Sequence, residues 1–145
     1  MKKTKNASAA TTETKTDLCI LTGEAEKINP HSTGLLHWEM TENLNGERGL
    51  RITANDSGGL FSREWIALSA ISGVLKAHAA GDFTSTALRP LFTSASRNNA
   101  GFLAAILRCA DICLTEEGSG GAFSHRCYPD WEKRLEKLLT LSPSA

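Results

Sequence analysis

Four cysteines (Cys19, Cys109, Cys113, Cys127) and four histidines (His31, His37, His78, His125) have the widest chemical range in this chain. Cys109 and Cys113 are spaced to share one helix face, and His125 and Cys127 to share one strand face. Together they make a conceivable Cys/Cys/His/Cys zinc set. The spacing matches no familiar knuckle, however, and Ile112 and Leu114 flank Cys113, so packing as small hydrophobes is the simpler reading and no metal or other cofactor is expected. With no export signal before them, the cysteines read as reduced thiols.

Catalytic patterns are missing elsewhere. The histidines scatter over different segments, with no HExxH and no paired carboxylates at acid/base spacing. His78 follows an apolar helical stripe and reads as a helix-end residue, while Glu39 and Glu42 flank a strand end as solvated charge. Gly58-Gly59 and the glycines at 118, 120 and 121 lack the Lys-Ser/Thr that follows a phosphate-binding loop, and both read as turns. Trp38, Trp65 and Trp131 each fit an apolar face, so core packing outweighs a base-stacking platform. A non-enzymatic protein is expected.

The bulk properties agree with that. The chain has 145 residues, 41% hydrophobic and 22% charged, with 16 Lys+Arg against 16 Asp+Glu. Those values place it in the ordinary globular class, with room for one domain over residues 18–145. Residues 1–17 hold Lys2, Lys3, Lys5 and Lys15 but nothing apolar larger than Ala after Met1, and read as a disordered tail. They lack the apolar stretch of a secretory signal, and no apolar run approaches the ~18 residues of a spanning helix. A cytoplasmic protein without a membrane partner is expected. Zero net charge gives only weak steering toward phosphate unless cations cluster locally.

The elements follow from periodicity. Leu36, Trp38 and Met40 alternate with His37 and Glu39, and Leu50, Ile52 and Ala54 with Arg51 and Thr53; Asn45-Gly46 between them predicts a β-hairpin with one buried face. Leu18 to Leu21 is a short apolar run ended by Gly23. Ser62 as N-cap, Glu64 in the first turn and the stripe Trp65, Leu68, Ile71, Leu75 predict a helix over 63–80, in which Gly73 hints at a close neighbour. A brief helix over 86–92 must accommodate Pro90, and Phe102, Leu103, Ile106 and Leu107 predict a helix over 97–110. Then come a strand over 112–114, a glycine-rich tip carrying Glu116 and Glu117, a returning strand over 122–128, and a helix over 131–140 with Trp131, Leu135, Leu138 and Leu139 inward.

This order over residues 60–140, with its tight turn between the second and third helices, resembles a winged helix-turn-helix, giving an α+β domain with an N-terminal β-hairpin and a C-terminal helix. The resemblance implies that helix 97–110 lies in a DNA major groove, with Arg97, Asn98 and Arg108 facing the bases, and that Ser124, His125 and Arg126 form the wing contacts. Two features depart from it. Glu116 and Glu117 sit where a phosphate-seeking wing prefers cations, and the small face Gly101, Ala104, Ala105 suits close packing better than base reading. The expected function is therefore binding, with double-stranded DNA as first partner of a small regulator. The alternative is a protein-interaction module (inhibitor, adaptor or assembly factor), homodimeric in one version, using that small face or the hairpin 35–54. The DNA reading needs the side of helix 97–110 opposite Phe102, Leu103, Ile106 and Leu107 to be open.

Overall fold

Period-two alternation builds the first half of the chain. In the computed structural model, which describes residues 17–94, 96 and 98–143, β1 (Leu18–Glu26), β2 (Leu35–Glu42) and β3 (Arg48–Asn55) form an antiparallel meander. β2 buries Leu36, Trp38 and Met40, β3 buries Leu50 and Ile52, and β1 adds Ile20 and Ala25. Gly46 takes a φ of 80° in the β2–β3 turn, and Asn43 braces it by accepting the backbone N–H groups of Asn45 and Glu47. β4 (Ile66–Ala67) pairs with Gly49 and Leu50 and completes a sheet of order β1-β2-β3-β4.

Gly23 does not end the first apolar run. It lies within β1 opposite Trp38, and a Cβ there would collide with the indole, so the missing side chain is what lets Trp38 fill the core beside the strand. Gly49 makes room for Trp65 in the same way, and Trp65 Nε1 donates to Thr41 Oγ1 at 2.9 Å.

The helix expected over 63–80 is shorter. α1 runs Leu68–His78, because the β3 edge captures Ile66 and Ala67 as β4. Ser62 is not its cap: Ser62 Oγ donates to Glu64, and the Glu64 carboxylate accepts the N–H groups of Thr93 and Ser94 and the Thr93 hydroxyl. The inward stripe is Leu68, Ile71 and Leu75. Gly73 is exposed, with nothing within 4 Å of a built Cβ, so no close neighbour explains it.

The second half runs β5 (Phe83–Thr84), a 3-10 helix (Ser85–Leu91), α2 (Asn98–Arg108), β6 (Thr115–Gly118), β7 (Gly121–Cys127) and α3 (Trp131–Thr140), with a second sheet of order β5-β7-β6. Pro90 sits inside the 3-10 helix, which tolerates it by stopping one residue later. Residues 112–114 form a turn rather than a strand: Cys113 takes a φ of 52° and its N–H bonds Cys109 O at 2.8 Å, while Ile112 and Leu114 are buried. Glu116 and Glu117 therefore belong to β6, and the tip shrinks to Ser119 and Gly120, with Ser119 donating its N–H and hydroxyl to Asp82. α3 buries Trp131, Leu135 and Leu138, whereas Leu139 lies 45% exposed, outside the expected stripe.

α2 is the axis of the molecule. It contacts β1, β2, the 3-10 helix and β6. Leu103, Ile106 and Leu107 are buried as expected, but Ala104 and Ala105 are equally buried, at 2% exposure each. The result is a mixed α and β architecture with two antiparallel sheets. Among the described residues, no helix is long and apolar enough to cross a membrane. The lysines of the expected tail and Arg97 lie outside the described residues.

Candidate binding site

Arg108, in the last turn of α2, reaches across to the β6–β7 hairpin. Its Nη2 donates to Ala122 O at 2.8 Å and Ser124 O at 2.6 Å, and its Nε donates to His125 Nδ1 at 3.1 Å. A donor aimed at Nδ1 requires that nitrogen to be unprotonated, so His125 carries its proton on Nε2 and donates to Ser85 Oγ at 2.7 Å. Burial, aided by the Arg108 charge, pushes the His125 pKa down to about 4, so the imidazole is neutral at physiological pH. Ser124 and His125 are buried.

These residues therefore do not form the groove-facing set that the sequence proposes. Arg108, Ser124 and His125 join α2, β7 and the 3-10 helix to one another. Arg126 is exposed but pairs with Glu116 at 3.3 Å, and Glu117 lies 4.0 Å from Arg108. The two glutamates thus have a structural reason: Glu116 neutralises Arg126 of the hairpin and Glu117 faces Arg108 of α2. Nor is the Gly101/Ala104/Ala105 face open for DNA or for a second copy. Ala104 and Ala105 are buried in a helix packed on β1, and Ile28 approaches Gly101.

The four residues of the conceivable zinc set turn to different neighbours. Cys113 Sγ meets Arg134 Nη1 at 3.1 Å, Cys127 Sγ donates to Leu75 O at 3.8 Å, His125 is held as above, and Cys109 lies against Trp38 with burial raising its thiol pKa. Among the described residues, no group of three or more His, Cys, Asp or Glu is arranged to hold a metal ion.

Asn98 stays outward, as Arg126 does, but without a carboxylate partner among the described residues. It is exposed at the start of α2, its amide donates to Leu60 O at 2.8 Å, and it lines a groove of about 290 Å³. The groove lies between the loop after β1, the 3-10 helix, the start of α2 and β7. Lys27 and Arg89 supply its cations, Phe102 and Phe123 its rings, and Ala100 and Gly101 part of its wall. Among the described residues, no acidic one lines it. Lys27 Nζ stands 5.7 Å from the Phe102 ring centre and donates to Thr33 O at 2.9 Å. Phe123 is 55% exposed.

The ion pairs among the described residues use Arg48, Arg51, Arg108, Arg126, Arg134 and His37, and leave Lys27 and Arg89 unpaired. Asp56, whose pKa is lowered by its His37 hydrogen bond and slightly by the Lys27 charge, lies outside the groove.

Sequence reasoning misses this constellation. Phe102 falls in the helical stripe and reads as core, yet it is only partly buried. Phe123 shares the period-two phase of His125 and Cys127 and should point inward, but it lies where the core ends and the β6–β7 register shifts. Lys27 and Arg89 carry no local signal: Arg63, Lys76, Lys133 and Lys137 also appear in no ion pair among the described residues, and what sets Lys27 and Arg89 apart is that the fold brings them to one groove. Comparison with protein-family models, curated proteins and solved structures found no match for this chain.

Proposed function

We propose that the chain is a non-enzymatic nucleic-acid-binding module of winged-helix type, with its contact surface moved from α2 to the groove beside it. The succession α1–β5–3-10–α2–β6–β7, with β5 and β6 flanking β7, supports the winged-helix reading. The departure from that family's use of its third helix follows from packing: β1 occupies the face that would enter a major groove, and Arg108 is spent on the hairpin.

One observation carries the proposal. In a chain of zero net charge, the groove gathers two cations and two aromatic rings, and no carboxylate among the described residues lines it. Phosphate contacts need such cations, and their contribution weakens with salt. Asn98 keeps a role at the groove's edge, while Arg126 contributes little because Glu116 neutralises it. The four free cysteines fit a reducing compartment such as the cytoplasm.

Fluorescence anisotropy with labelled DNA at low salt tests this. The double variant K27A/R89A is expected to weaken binding at least about tenfold and to reduce the salt slope by about 2, one for each lost cation. If the intact protein binds no DNA or RNA at low salt, the proposal fails.

Protein-only binding has one observation in its favour. Leu18, Leu44, Leu139 and Leu141 are exposed, at 48%, 81%, 45% and 38%. Leu18 pairs opposite Glu42, and Arg48 donates to Leu138 O at 2.7 Å, which brings the β2–β3 turn and the end of α3 to one end of the molecule. A partner held there would bind with little salt dependence.

A further inference from the structure

Resting on the nucleic-acid reading, the geometry points to an unpaired strand, not a duplex, as the ligand of the groove lined by Lys27, Arg89, Phe102 and Phe123. The rings decide between the two. In a duplex the faces of the bases are stacked on one another, and a protein reads edges and phosphates with a helix or ribbon set in a groove. α2 is not free to serve as that helix, because it packs against β1, the 3-10 helix and the hairpin that Arg108 holds, and only its Asn98–Phe102 end opens into the groove. An unpaired strand exposes base faces, and phenylalanine rings beside phosphate-binding cations are what such faces use.

Phe123 is well suited to this. It projects from β7 with more than half of its surface open, at the rim of a concave site, and has no evident part in the core. Phe102, in the same groove, carries Lys27 Nζ over its ring at 5.7 Å, so a phosphate is met at that ring while Phe123 is the one open to a base. The polar groups fit a base edge or a sugar. Ser85 Oγ receives the His125 Nε2 proton, which leaves its own hydroxyl proton to donate, and Asn98 donates its amide to Leu60 O, which leaves its side-chain oxygen to accept. Nothing in this set depends on base identity, so sequence preference should be slight.

The experiment is fluorescence anisotropy on the full chain with a labelled oligothymidylate, longer than the ~4–16 nucleotides that such sites cover, and with its duplex on oligodeoxyadenylate. The single strand is expected to bind at least about tenfold tighter than the duplex. Phe123→Ala should weaken strand binding by about tenfold and leave duplex binding unchanged, and Phe123→Trp should restore it. Equal affinity for strand and duplex, with Phe123→Ala neutral for both, overturns the strand inference while the nucleic-acid reading stands. Binding of neither overturns both. Displacement of the strand by polyglutamate as readily as by unlabelled oligothymidylate of equal charge assigns the groove to acidic peptides and overturns the inference as well.

Discussion

His125 is held neutral by a donor on one side and an acceptor on the other, and its burial has a consequence for acid stability. An unfolded histidine takes up a proton near its ordinary pKa of 6.5, whereas the folded one resists until about 4. The unfolded state therefore binds more protons in that window. Its contribution is complete above pH 6.5 and falls as the pH drops toward 4, at about 1.4 kcal/mol per unit. Urea unfolding at pH 7 and pH 5 is expected to show a loss of about 2 kcal/mol in the native chain and a clearly smaller loss in His125→Gln. Equal losses would show that the imidazole does not carry the effect. Glu64 does not confuse the comparison. Burial raises its pKa, but the bonds from Thr93, Ser62 and Ser94 outweigh that and bring it to about 2, so its contribution is lost only as the pH falls from about 4.5. None of this is legible around His125 itself, where Ser124 and Arg126 read as a wing, because Arg108 comes from another element.

At the level of elements, Gly73 offers a direct measurement. It stands on the exposed side of α1 with open space where a Cβ would be, so it incurs the helix cost of glycine with no packing return. Gly73→Ala is expected to stabilise the protein by about 1 kcal/mol and raise its melting temperature by a few degrees. A destabilised variant would reveal a contact at that face. The elements read correctly from sequence are those with an unbroken local period: the Leu36/Trp38/Met40 strand with its Asn45-Gly46 turn, and the Leu68/Ile71/Leu75 stripe. The misread ones yield to partners distant in sequence. Residues 66–67 join β3 instead of starting a helix, β1 continues through Gly23 because Trp38 needs the space, and the strand expected at Ile112 begins at Thr115 because Cys113 turns the chain.

For the molecule as a whole, α2 is shared between two halves that each lack a complete core without it. A fragment comprising residues 61–143 would expose Ala104 and Ala105 and lose the Trp38, Leu50 and Ile52 side of the core. Such a fragment is expected to melt without a cooperative transition and to bind a hydrophobic dye, as read by circular dichroism and fluorescence. A sharp melt would mean that residues 61–143 fold alone and that the first sheet is an accessory. The groove was illegible at this scale because its lining comes from the loop after β1, the 3-10 helix, α2 and β7, which meet only once every element is in place. The contact between β1 and α2 also bears on biosynthesis. The apolar side of the meander leaves the ribosome early, yet the helix that covers it is made only in the last third of the chain. Until then α1 packs on β3, and bringing α2 to β1 closes a long loop whose entropy only the finished core offsets.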